Sequence, residues 1–141
     1  MRTLHVGLQV AELERSLAFY KAVGYEVVGE VPETPLGHLT MLRLPGDSFV
    51  TLELVHNPAV TVAGSGGGLS HLVIQVDSLD TVIDELAAQG IDVAAATSPD
   101  GTEGFRTAWI TDPDGRRFEL VQWPPGHPDG MTAADWPTDD S

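Results

Sequence analysis

The stretch "LHVGLQV" (residues 4–10) alternates like an extended strand: Leu4, Val6, Leu8 and Val10 share one face, and His5, Gly7 and Gln9 share the other. A lone histidine on such a strand is ordinarily a core residue with a backbone partner. This one is not alone. "SHLVIQV" (residues 70–76) repeats the pattern at an offset of 66, with His71 over His5, Gln75 over Gln9 and Val76 over Val10. The match extends without a gap from residues 4–55 onto 70–121, with ten identities in 52 positions. Gly24 falls on Gly90, and Glu53-Leu54-Val55 on Glu119-Leu120-Val121. Repetition at one fixed offset means that one structural unit occurs twice.

Each copy reads as β-α-β-β-β. In the first, a strand over 4–10 precedes a helix over 12–23, where Leu13, Leu17 and Tyr20 recur at helical spacing before Gly24 stops the turn. "YEVVGEV" (25–31), "LTMLRL" (39–44) and "FVTLELV" (49–55) supply three more strands, the last two joined by the turn "PGDS". In the second copy, "SLDTVIDELAAQG" (78–90) puts Leu79, Val82, Ile83 and Leu86 on one helical face, with Asp77 or Ser78 as the cap. "IDVAAAT" (91–97), "FRTAWI" (105–110) and "RRFELVQ" (116–122) complete it, and "DPDG" (112–115) is the tight turn before the last strand. The expected organisation is α+β: a first module over 1–56, a linker over 57–69 containing "AGSGGG" (63–68), a second module over 70–123, and a tail over 124–141. The tail is turn-rich. It reads either as disordered or as anchored over the site through Met131 and Trp136.

Composition narrows the chemistry. The chain has 141 residues and no cysteine, which excludes disulfides, thiolate metal sites and cysteine nucleophiles. Its formal charge is −14, with seven Lys and Arg against 21 Asp and Glu, so nucleic acid is not an expected partner. No apolar run approaches the roughly 20 residues that span a bilayer, and no leader pattern opens the sequence; the expectation is a cytoplasmic protein without a membrane partner.

His5 and Glu53 lie 48 residues apart, as do His71 and Glu119. Each histidine opens the first strand of its copy and each glutamate sits in the last. Alternation puts all four opposite the aliphatic face: Glu53 between Leu52 and Leu54, Glu119 between Phe118 and Leu120. A buried carboxylate costs several kcal/mol unless it is paired or ligated. One such glutamate could be an ion pair or exposed. Two, each in register with a repeat-related histidine, point to a metal. If a pseudo-two-fold axis relates the copies, two imidazoles and two carboxylates can converge on Ni²⁺, Co²⁺, Zn²⁺, Fe²⁺ or Mn²⁺, leaving open positions for substrate oxygens.

The βαβββ repeat resembles the vicinal oxygen chelate superfamily and, within it, glyoxalase I (lactoylglutathione lyase) of the short bacterial kind. The resemblance covers residues 1–123 and rests on "LHVGLQVAELERSLAFYKAV", "TLELVHN", "LSHLVIQVDSLD" and "DPDGRRFELVQ". It implies a cup-shaped, eight-stranded mixed sheet with the helices outside, and a homodimer whose sites draw on both chains. It places His5, Glu53, His71 and Glu119 on the metal-ligand positions, holding one divalent ion, Ni²⁺ or Co²⁺ ahead of Zn²⁺. The implied activity is isomerisation of a thiol–2-oxoaldehyde hemithioacetal through a metal-bound enediolate, with Glu119 as the base and Glu53 as its counterpart. Another metalloenzyme of the superfamily, an epimerase or dioxygenase, and a non-catalytic drug-binding or resistance protein are the alternatives. Asn57, Gln9, Arg106 and Trp109 are the expected substrate contacts. Gln9 stands where the bacterial pattern often has an arginine that grips glutathione, and the 98–104 loop carries Asp100 and Glu103 where a basic residue is expected. Both departures suggest a thiol other than glutathione. His38 and His56 have no repeat partner and are expected at the surface or pocket rim; "GSGGG" (64–68) lacks the residues of a phosphate loop.

Overall fold

A computed structural model of the chain describes residues 1–62, 68–99, 101–102 and 104–136. The elements run β1 (Val6–Gln9), α1 (Leu13–Val23), β2 (Glu26–Val31), β3 (His38–Arg43), β4 (Leu52–His56), β5 (His71–Gln75), α2 (Leu79–Ala88), β6 (Ala94–Thr97), β7 (Arg106–Thr111) and β8 (Arg117–Gln122). The α+β reading and its tandem βαβββ units are borne out. The strands form two four-stranded sheets, β1-β4-β3-β2 and β5-β8-β7-β6, rather than one continuous sheet of eight. Part of the expected linker, residues 63–67, lies outside the described residues, as do Asp100, Glu103 and residues 137–141.

The repeat is written into the backbone hydrogen bonds. Val10 N–H donates to the Val55 carbonyl at 2.9 Å, and Val76 N–H to that of Val121 at 2.8 Å. Tyr25 N–H reaches back to the Tyr20 carbonyl at 2.9 Å, and Ile91 N–H to that of Leu86 at 3.0 Å. Gly24 N–H to Lys21 and Gly90 N–H to Ala87 are both 3.0 Å. Every pair is shifted by the sequence offset. At Gly24 the backbone has φ +126°, a region open to glycine at little cost, so α1 ends there. Ser78 caps α2, its hydroxyl accepting from Thr81 N–H.

By contact the chain divides into two compact units, residues 1–71 with 111–117, and residues 72–110 with 118–141. In the first, Leu42, Leu52 and Leu54 are fully buried, and alternation on β4 turns Glu53 to the opposite face. α1 buries Ser16 and Tyr20, while Leu13 and Leu17 are only half-buried. The expected apolar stripe is therefore shifted, because the helix packs on the polar turn 112–116. Tyr20 donates its hydroxyl to Asp112 at 2.6 Å, and Ser16 Oγ meets Asp114 at 3.4 Å. Asp112 also accepts from the backbone N–H groups of Asp114 and Arg116 and from the Arg116 guanidinium. Arg116 further donates to the Gln9 carbonyl, tying the turn to β1. Burial, then the Asp112 carboxylate, drive the Tyr20 pKa far above its usual value, so the phenol stays a donor.

In the second unit Leu79 and Leu86 of α2 are buried, as are Ile74, Ile110, Phe118 and Leu120 of its strands. Its C-terminal segment is ordered, but not through the residues the sequence nominated: Met131 is 62% exposed and Trp136 58%. Trp123 holds it instead. Among the described residues no helix is long and apolar enough to cross a membrane.

Candidate functional site

β1 and β4 run parallel, with Gly7 registered to Glu53, so the residues of β1 that face away from the core share a face with the Glu53 side chain. His5 sits one residue before β1, on the same side as Gly7 by alternation. Its Nε2 lies 3.7 Å from Glu53 Oε1, with the two side chains 32% and 12% exposed. This is too long for a hydrogen bond. It is within the span of two ligands that each sit about 2.1 Å from one ion. Gly7 makes the arrangement possible: a Cβ there would meet Glu53 Oε2 at 3.0 Å. A side chain at position 7 would crowd the carboxylate and push it aside by a few tenths of an ångström.

The other two candidate ligands hold the expected places on their strands. His71 opens β5, exposed, with Ser70 Oγ 2.9 Å from its Nδ1. Glu119 is half-buried on β8 between the buried Phe118 and Leu120. Among the described residues no group of three or more His, Asp or Glu is gathered so as to hold a metal ion. Of the four candidate ligands, His5 and Glu53 are the pair whose side chains approach each other among the described residues.

The expected substrate contacts have other occupations. Asn57 closes its own turn, Oδ1 accepting from Ala59 N–H at 3.0 Å and Nδ2 donating to the Leu36 carbonyl at 3.3 Å. Arg106 Nη1 is 2.7 Å from Asp80 Oδ1. That pair lies on a polar cavity of about 790 Å³ in the second unit, lined also by Ser78, Thr97, Ser98 and Gln122, but not by His71 or Glu119. Trp109 is half-buried on β7, in register with Ala94. The Gln9 side chain is exposed on the same face of β1 as His5. His38 and His56 oppose each other across β3 and β4, both half-buried, and His38 Nε2 stands 3.8 Å from Glu30.

Sequence reasoning missed Gly7, because its repeat counterpart is Val73 and the repeat drew attention to identities. It also missed the environment of Gln75. Its amide receives Trp123 Nε1–H at 2.8 Å and Gly130 N–H at 2.9 Å, and donates to Asp129 at 2.7 Å. The identity of Gln75 with Gln9 was the only available sign.

The family model for the Glyoxalase/Bleomycin resistance protein/Dioxygenase superfamily matches residues 2–120. Lactoylglutathione lyase of Neisseria meningitidis serogroup B is 30% identical over 125 residues, spanning 86% of this chain and 91% of the relative. Lactoylglutathione lyase GLX1 of Arabidopsis thaliana is 30% identical over 124 residues; there this chain spans only 44% of the plant protein. Among solved structures, the glyoxalase family protein from Enterococcus faecalis superposes with a TM-score of 0.71 at 26% identity, over 86% of this chain and 97% of that one.

Proposed function

The chain belongs to the glyoxalase/bleomycin resistance protein/dioxygenase superfamily, and from that premise we propose that it is a metal-dependent lyase of the glyoxalase I type. Its substrate would be the hemithioacetal of a 2-oxoaldehyde and a thiol. The observation that carries this reading is the His5–Glu53 pair, 3.7 Å apart, with Gly7 leaving space for the carboxylate. An imidazole and a carboxylate that no arginine or lysine neutralises among the described residues suit a divalent transition metal, so these donors fit the expected group.

His5 and Glu53 would hold one side of the ion, and His71 and Glu119 the other. The complete site is proposed to form between two copies in a homodimer, His5 and Glu53 from one protomer facing His71 and Glu119 of its partner. When bound, the divalent cation supplies positive charge that stabilises negative charge developing on the substrate oxygens. Glu119 takes the proton from C1 of the hemithioacetal, and a proton returns at C2. C1 becomes the thioester carbonyl and C2 the carbinol. The reaction is a net isomerisation and needs no redox partner. Glu53 would act on the opposite face of the substrate.

The thiol is proposed to be less anionic than glutathione. Arg106 is committed to Asp80, Asn57 to its turn, and Gln9 brings no charge. A surface of net charge −14 adds repulsion for a tripeptide with two carboxylates. Metal analysis of the purified protein, combined with methylglyoxal turnover across a panel of thiols and of Ni²⁺, Co²⁺ and Zn²⁺, tests the reading. A stoichiometric divalent ion with turnover on at least one thiol supports it. Metal-free protein that stays inert with every added ion overturns it, and efficient turnover with glutathione overturns the thiol assignment alone.

A further inference from the structure

Trp123 follows β8 directly, and its indole lies inside a three-ring stack. Phe105 packs on it at 5.6 Å with 11° between planes, and His127 at 4.5 Å with 20°. The segment then turns back. His127 Nδ1 is 2.5 Å from the Pro128 carbonyl, and its Nε2 bonds the Asp135 carboxylate. Thr132 and Asp135 form a reciprocal capping box around the short turn Ala133–Asp135. Gln75 clasps the loop between, its Oε1 accepting from Gly130 N–H and Trp123 Nε1–H and its Nε2 donating a hydrogen bond to Asp129.

Gln75 lies on the outward face of β5, opposite the buried Ile74 and on the side that carries His71. The segment therefore lies across one end of the face that carries a candidate ligand. It is held almost wholly by polar contacts and ring stacking at the surface, which open more readily than buried apolar packing. Gln9 supplies the contrast: it occupies the same position in the first copy and is exposed, with no such segment laid on it among the described residues.

We propose that residues 123–136 form a strap that opens and closes over the Gln75 end of β5, with the His127–Asp135 pair as its latch and Gln75 as the residue that positions it. The proposal stands independently of the reaction assigned above. Groups facing His127 are the Asp135 carboxylate, the Pro128 carbonyl and the Trp123 ring; Asp129 is the other charged group in the strap and is tied to Gln75. The hydrogen bond to Asp135 raises the His127 pKa above its ordinary 6.5, while the Thr132 N–H and then His127 lower that of Asp135 below its ordinary 3.8. The latch is therefore fully formed between those two ordinary values. It weakens as pH rises through the raised His127 value, and as pH falls through the lowered Asp135 value.

The test uses the full chain with Trp109→Phe and Trp136→Phe, leaving Trp123 as the reporter, and wild-type hydrogen exchange as a check that needs no substitution. Protonated imidazole stacked on indole quenches its emission, so emission should rise through a transition centred above 6.5. Asp135→Asn should move that midpoint downward. In wild-type protein the Gly130 amide should exchange at least severalfold faster at pH 9 than at pH 6, after correction for the intrinsic rate. Gln75→Leu should give fast exchange at both, with an unchanged circular dichroism spectrum. An Asp135→Asn midpoint equal to that of the parent overturns the latch. Gly130 exchange that is indifferent to both pH and Gln75→Leu overturns the strap.

Discussion

Gly7 stands directly opposite Glu53 in the parallel register of β1 and β4, and a Cβ at Gly7 would lie 3.0 Å from Glu53 Oε2. The glycine thus borders the proposed site although it carries no functional group. Because Gly7 is exposed and the carboxylate is its nearest neighbour, substitution should be felt at the carboxylate before it is felt in the fold. Gly7→Val, which installs the residue of the second copy, should weaken divalent-ion binding by about 10–100-fold, the range for residues that orient a ligand. Isothermal titration with Ni²⁺ reads the change; wild-type affinity in this variant would remove Gly7 from the site.

Removal of the base should separate chemistry from binding. Glu119→Gln is expected to lower kcat by about 10²–10⁴-fold, the contribution of a positioned proton-transfer group. Glu119 is half-buried and projects from a strand whose neighbours Phe118 and Leu120 carry the packing, so the melting transition should be little changed. Steady-state kinetics on the active thiol adduct and a thermal melt check the two halves of the statement.

A site divided between protomers predicts complementation. His5→Ala/Glu53→Ala chains and His71→Ala/Glu119→Ala chains should each be inactive as homodimers. Mixed and re-equilibrated in equal amounts, half the dimers are heterodimers, and each of these carries one intact site of two. Activity should return to about a quarter of wild type. No recovery, with heterodimers demonstrated by mass, would place the complete site within one chain.

Arg106 is expected to contribute little to thiol affinity. Its partner Asp80 is 77% exposed at the side chain, so the pair is of the surface kind, worth roughly 0–1 kcal/mol. Arg106→Ala should change stability by less than about 1 kcal/mol and KM by less than about threefold. A tenfold rise in KM for an anionic thiol adduct would return Arg106 to substrate binding.

Tyr20 and Asp112 should prove to be structural. Tyr20→Phe deletes a 2.6 Å hydrogen bond to a buried carboxylate and leaves an acceptor short of a partner. The expected cost is about 1–3 kcal/mol in urea unfolding. Asp112→Ala should cost more, about 3–5 kcal/mol, because it leaves the 7%-exposed Arg116 with fewer opposite charges. Activity per folded molecule should change little in Tyr20→Phe.

The sequence by itself determined the repeat, and through it the order of elements, the helix stops at Gly24 and Gly90, and the pairing of each histidine with a glutamate 48 residues on. These are legible because strand alternation and helical periodicity are local, and because a second copy at fixed offset supplies an internal comparison. It also placed Glu53 on the face away from Leu52 and Leu54, since side-chain direction along a strand has a period of two. Tertiary structure decided what each polar side chain is spent on. Arg106 meets Asp80 from 26 residues away, Tyr20 meets Asp112 from 92, and Gln75 meets Gly130 from 55. No local pattern encodes such partners, because they depend on which elements stack and how closely. The space Gly7 leaves for Glu53 belongs to the same class: it is a property of two strands laid side by side, and neither strand carries it alone.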